Sequence, residues 1–191
     1  STSRRQRQMC IRDSSLTASP GKNLVFIYLE SMENSYLDET RYPGLLPNMQ
    51  RFIREGVFFS EVHQARHATF TFGGLYSSQT GSILTNAHMR GDSNDGFNVQ
   101  LGSRLPTLPR ILNKAGYTQV FMQGPPLKFA GTDVFLVSEK YDFRESAATL
   151  RKRQELEQYM NWGIRDGELF GHALEKYKML GAAGKPFQMS V

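Results

Sequence analysis

The chain has 191 residues, 39% hydrophobic and 21% charged, proportions of a folded domain and not of a collagen, a coiled coil or a wholly disordered chain. Its 23 Lys and Arg against 18 Asp and Glu give a formal charge of +5, and its one cysteine, Cys10, excludes a disulfide framework and a cysteine-built metal site. No apolar run reaches the roughly 18 residues of a membrane-spanning helix.

Most of the basicity is local. Arg4, Arg5, Arg7 and Arg12 stand against Asp13 within the first 15 residues, so the remaining chain is close to neutral and nucleic acid is not an expected partner. With no apolar segment and no hydrophobic period, residues 1–20 read as a non-native or disordered leader, and residues 21–191 as the folded part.

After the turn signal Pro20-Gly21, the run Asn23 to Leu29 (NLVFIYL) predicts a strand buried on both faces, as in a parallel sheet, and it stops abruptly at Glu30-Ser31. Pro47 opens a helix with Met49, Phe52 and Ile53 at i, i+3, i+4 spacing, closed by Gly56 as C′ residue. Residues 57–62 (VFFSEV) read as the next strand. Residues 84–104 are polar and loop-like. Thr107 with Pro109 starts a helix that Gly116 ends, and residues 117–122 form a strand. The basic-acidic run 151–157 reads as a solvated helix face. In 166–180, Leu169, Phe170, Ala173, Leu174, Tyr177 and Leu180 make one apolar stripe with Asp166 as cap, Gly181 to Pro186 breaks the helix, and a strand begins at Phe187. Strand and helix alternate, which predicts an α/β fold, a mostly parallel sheet flanked by helices.

Several patterns fail as motifs. Gly181-Ala-Ala-Gly184-Lys185-Pro186 lacks the upstream glycine and the Ser or Thr of a phosphate-binding loop. Gly91-Asp92-Ser93 lacks the strand-turn-helix setting of a nucleophile elbow. His63 and His67 are four apart, but they follow a strand in a loop, so substrate contact or plain surface suits them better than metal.

Two features survive. Glu30 is a carboxylate directly after a buried strand, where open α/β sheets bind ligands. Downstream, a loop containing His67 and Thr69 leads into Thr71 and then Gly73, Gly74, Ser77 and Ser78, small residues that suit a helix packed closely on a sheet. Thr71 at such a helix start is either an N-cap or a nucleophile beside a phosphate held by backbone N–H groups. An alcohol is protonated at neutral pH, and no Ser-His-Asp arrangement is visible to supply a base. A divalent metal lowers the pKa of bound water from about 15.7 to about 7, worth some 12 kcal/mol, and a threonine oxygen would share part of that effect. Carboxylate and alkoxide are hard ligands suited to Mn²⁺ or Mg²⁺, with Zn²⁺ as an alternative.

The stretch from Lys22 to Ser31, the segment from Leu37 to Asn48 (LDETRYPGLLPN), Thr71 to Gly81, Phe129 to Leu136 (FAGTDVFL) and Trp162 to Asp166 (WGIRD) together resemble the alkaline phosphatase/sulfatase superfamily. The likeness is to its phosphoglycerol transferase branch, which includes lipoteichoic acid synthases and an enzyme that decorates periplasmic glucans, and it runs from about residue 22 to 191. The resemblance implies that Glu30 is a metal ligand and Thr71 both ligand and nucleophile, with Thr69 as runner-up. The implied reaction is attack of the Thr71 oxygen on the phosphorus of a phosphatidylglycerol-like donor. Diacylglycerol leaves, and the glycerophosphoryl group passes to a glycan or polyglycerol-phosphate hydroxyl. His67, Thr69, Lys128 and Asp133 are the candidate substrate contacts. An arginine that binds glycerophosphate in lipoteichoic acid synthases aligns near Thr132, with Lys128 a candidate substitute charge.

By the same resemblance, an Asp-His pair and a further histidine are expected after the strand at Phe187, so residues 21–191 are read as the N-terminal part of the catalytic domain, inactive alone. The family setting is the extracytoplasmic face of the bacterial membrane, reached through segments outside this sequence. The alternatives are a phosphate or sulfate ester hydrolase on the same site and a non-catalytic binding domain of the same fold.

Overall fold

The computed structural model describes residues 21–84, 106–153 and 162–191. Four strands, β1 (Leu24–Phe26), β2 (Thr118–Gln123), β3 (Phe143–Ser146) and β4 (Phe187–Ser190), form one parallel sheet in the order β1-β4-β2-β3. Parallel neighbours require crossover connections, and the described residues supply six helices. These are α1 (Pro47–Glu55), α2 (Thr71–Thr80), α3 (Leu108–Lys114), α4 (Thr132–Ser138), α5 (Ala147–Lys152) and α6 (Asp166–Ala182). The expected α/β architecture is therefore present. β4, last in sequence, sits centrally with all four residues buried, aligning Gln188 with Leu24 on one side and with Gln119 on the other.

Strand alternation divides the core between the two sheet faces. Phe121 packs with Phe72, Leu75 and Tyr76 of α2, Phe135 and Leu136 of α4, and Tyr141. Val120, Met122, Phe187 and Met189 pack on the other face with Ala147 and Leu150 of α5 and Leu169, Ala173 and Leu180 of α6. Each fully buried side chain of this kind stabilises the fold by about 1.5–3 kcal/mol. The buried Glu139 ties the α4 end to α3, accepting from the Thr107 hydroxyl and from Arg110 at 3.0 Å.

Several local expectations are corrected. β1 covers three residues at the edge of the described sheet, with Val25 and Ile27 exposed, so it is not buried on both faces. Residues 57–62 form no strand: Val57 and Val62 are 74% and 73% exposed, and no described strand lies beside them. High β-propensity alone does not make a strand without a partner ladder. Asp166 is the first residue inside α6 and Arg165 the N-cap, which places Asp166 and Glu168 in the first turn, where the helix dipole favours acids. Along that helix Leu169, Ala173 and Leu180 are buried while Phe170, Leu174 and Tyr177 are exposed. Gly56 follows α1 in extended rather than left-handed backbone. By contrast the Thr107 cap is present, its hydroxyl accepting from the Arg110 amide at 3.3 Å. Most of the polar stretch 84–104, with Gly91-Asp92-Ser93, and most of the run 151–157 lie outside the described residues. Arg151, Lys152 and Arg153 of that run are exposed, but Arg153 is not simply solvated: its guanidinium pairs with the buried Glu145 at 2.8 and 3.0 Å.

Candidate active site

A cleft of about 720 Å³ opens at the carboxyl ends of β1, β2 and β4, where the strand-end rule places ligands. Its walls include Glu30, Ser31, Thr69, Thr71, Gln123 and Asp166. Glu30 reaches it because the β1 ladder continues past Phe26: Tyr28 N–H donates to Val191 O at 2.8 Å, and Val191 N–H to Phe26 O at 2.9 Å. The backbone then turns sharply at Ser31, which has φ 63°. A left-handed conformation in a residue with a Cβ costs on the order of 1 kcal/mol and tends to occur at functional turns.

Thr71 comes from the opposite wall, as the first residue of α2. The helix starts at Phe70 with extended backbone and no side-chain cap, so the first-turn N–H groups are not taken by a capping side chain. The loop before it lies tight against the helix: a Cβ on Gly73 would stand 2.3 Å from the His67 carbonyl oxygen, while one on Gly74, at the cleft, would meet open space. Small residues here therefore serve two ends, close packing at Gly73 and room at Gly74. His67 itself holds φ 61° to make that approach.

The two walls meet in one contact. Thr71 Oγ1 lies 2.7 Å from Glu30 Oε1 and 2.9 Å from Oε2, donating to a carboxylate 41 residues away. Thr69 lines the same cleft without a bond to Glu30. His67, Lys128 and Asp133 are not brought to it. Lys128 is exposed ahead of the 3-10 turn Phe129–Gly131, and Asp133 accepts from the Val134 amide at 2.9 Å in the first turn of α4. His63 is exposed, and no group of three or more His, Cys, Asp or Glu suited to a metal occurs among the described residues.

Two cleft residues were not singled out from sequence. Gln123 ends β2, so the strand-end rule that drew attention to Glu30 applies equally to it; it lines the cleft, and its amide donates to the Pro125 and Pro126 carbonyls at 3.3 and 3.0 Å. Asp166 had a sufficient explanation as a helix-start acid. It is carried to the cleft by a crossing of two loops, where a Cβ on Gly163, at φ 135°, would stand 2.1 Å from the Gly124 carbonyl oxygen.

A sulfatase family model matches residues 22–191, and the chain belongs to the sulfatase family. It is 34% identical over 172 residues to phosphoglycerol transferase I of Salmonella arizonae and, equally, of Salmonella typhimurium, covering 90% of this chain and 22% of each of those proteins. The chain thus spans about a fifth of their length. Among solved structures, it resembles an alkaline phosphatase superfamily protein from Vibrio parahaemolyticus with a TM-score of 0.69 at 21% identity, covering 92% of this chain and 40% of that one. It also resembles the lipoteichoic acid synthase LtaP from Listeria monocytogenes, again with a TM-score of 0.69, at 18% identity over 97% of this chain and 45% of that one. Both likenesses show that the sheet and its helices share the fold of those two proteins.

Proposed function

We propose that this chain contributes the nucleophile and one metal-ligating carboxylate to a metal-dependent phosphoglycerol transferase. The observation that carries the reading is the Thr71 hydroxyl held against both oxygens of Glu30 at the strand-end cleft. The likeness to phosphoglycerol transferase I supports the type of group transferred.

The donor set fits a divalent cation in part. Glu30 and Thr71 present hard oxygen donors that suit Mn²⁺ or Mg²⁺, but fewer than the six an octahedral ion takes, so water, substrate or further protein groups must complete the shell. When bound, such a cation supplies Lewis acidity that makes a hydroxyl oxygen a competent nucleophile at neutral pH. Thr71 is aimed by its place at the start of α2 and oriented by Glu30. Its oxygen forms a bond to the phosphorus of a phosphatidylglycerol-like donor as the bond from phosphorus to the diacylglycerol oxygen breaks. The proton that Thr71 holds in its bond to Glu30 is the one diacylglycerol must finally carry. An acceptor hydroxyl of a glycan or polyglycerol phosphate then displaces Thr71 and returns a proton. Uncapped first-turn N–H groups of α2 suit the phosphoryl oxygens.

The donor implies a membrane surface, and the proposed setting is the extracytoplasmic face; among the described residues no helix is long and apolar enough to cross a bilayer. The test is Thr71→Ala in the full-length protein with phosphatidylglycerol and an acceptor glycan. Loss of both diacylglycerol release and transferred glycerophosphate is expected, and retained turnover would overturn the nucleophile assignment. The sulfatase family match favours a second reading, ester hydrolysis on the same site, which would release diacylglycerol with no glycerophosphate on the acceptor.

A further inference from the structure

A chain of hydrogen bonds runs from the buried core to the cleft wall at Tyr28. Tyr141, buried, donates to Gln79 Oε1 at 3.3 Å, and Gln79, also buried, donates through Nε2 to Tyr28 Oη at 2.5 Å. Tyr28 Oη is 2.9 Å from Ser78 Oγ, which donates to the Leu75 carbonyl at 2.9 Å. Since Tyr28 accepts from Gln79 and Ser78 donates onward, Tyr28 is the donor to Ser78, and every hydroxyl in the chain has a fixed direction. Burial keeps the Tyr141 hydroxyl protonated by pushing its pKa well above the ordinary tyrosine value.

The chain joins the same two elements as the Thr71 to Glu30 contact. Tyr28 lies two residues before Glu30 on the continued ladder of β1, while Gln79 and Ser78 lie at the far end of the helix that Thr71 begins. We infer that Gln79 and Tyr28 are positioning residues: their clamp sets the axial position of α2 against β1 and so holds the Thr71 oxygen in register with the Glu30 carboxylate. This rests on Thr71 and Glu30 being the reacting pair. A helix tied to a strand at one end only can slide or roll, and a displacement of about 1 Å at a reacting atom costs on the order of 10²-fold in rate. Tyr28 lines the cleft wall, but the buried Gln79 does not, so substrate cannot touch Gln79 and loss of the clamp there should fall on kcat.

The experiment compares Tyr28→Phe, Gln79→Met and Leu150→Ala in the full-length protein, with Thr71→Ala alongside. Tyr28→Phe and Gln79→Met are expected to lower kcat about tenfold or more with KM within about twofold. Leu150→Ala removes core packing on the other sheet face and should lower thermal stability while keeping kcat within about twofold, so instability alone cannot mimic the result. Unchanged kcat in both clamp variants, or a raised KM with unchanged kcat, would overturn the inference; the latter would make Tyr28 a substrate contact. If Thr71→Ala keeps its turnover, the proposed reaction fails instead. The clamp is then judged by a crystal structure of Tyr28→Phe, where a Thr71 to Glu30 separation still within hydrogen-bond reach would refute it.

Discussion

Thr71 and Glu30 touch although they lie 41 positions apart in the sequence, with the hydroxyl bridging both carboxylate oxygens at 2.7 and 2.9 Å. A contact of this kind distinguishes the two threonines of the loop, because Thr69 shares the cleft without it. Thr71→Ala should lower kcat by about 10³-fold or more with unchanged circular dichroism. Thr71→Ser, which keeps the hydroxyl, should retain measurable turnover, and Thr69→Ala should lose far less than Thr71→Ala. Steady-state assays on the three variants check the ranking.

Metal removal should be reversible and should depend on Glu30. Dialysis against a chelator is expected to abolish turnover, and Mn²⁺ or Mg²⁺ to restore it. Glu30→Gln preserves the side-chain shape but removes the charge, and should weaken Mn²⁺ binding by at least about tenfold. Titration calorimetry reads that change without relying on activity.

Three glycines near the cleft should respond differently to a methyl group. Gly163→Ala meets the Gly124 carbonyl at 2.1 Å in a backbone region that L residues avoid, and should cost about 3 kcal/mol or more. Gly73→Ala meets the His67 carbonyl at 2.3 Å and should also destabilise. Gly74→Ala enters open space in a helix and should stabilise by about 0.5–1 kcal/mol, yet it adds bulk to the cleft wall and should reduce turnover. Urea unfolding separates the three.

Glu145 sets an acid limit on stability. Burial alone would raise its carboxyl, but Arg153 at 2.8 and 3.0 Å and Lys176 at 3.3 Å outweigh that and hold it below the ordinary value of 4.5. A carboxyl whose native pKa is depressed contributes stability above its unfolded value, and that contribution is lost as pH falls through the native one. The urea midpoint should therefore hold from about pH 7 down to about pH 5 and fall below it. Glu145→Gln should cost about 1–3 kcal/mol at pH 7 and flatten the acid slope.

The candidate site was legible where sequence position and chemistry coincide. Glu30 follows an apolar strand and Thr71 precedes small helical residues, so both stand at element ends that point one way in a parallel sheet. Their contact was not legible, since it depends on the long return of β4 between β1 and β2. Asp166 was hidden by its adequate role at a helix start, and Tyr28 by its place in an apolar run that reads as strand. Residues 57–62 misled for the converse reason: Val57, Phe58, Phe59 and Val62 have strand propensity, but strand formation requires a neighbouring ladder that local sequence does not report.

The central position of β4 also governs when the sheet can assemble. β1 pairs only with β4 among the described strands, so Leu24 cannot enter its ladder before Gln188 has been synthesised. At about 5–20 residues per second, that delay is on the order of ten seconds or more, during which the apolar run from Leu24 to Leu29 lacks its partner among the described strands. Long-range parallel pairing of this kind folds slowly. Nascent chains arrested before Phe187 should leave β1 open to protease, and extension through Val191 should close it.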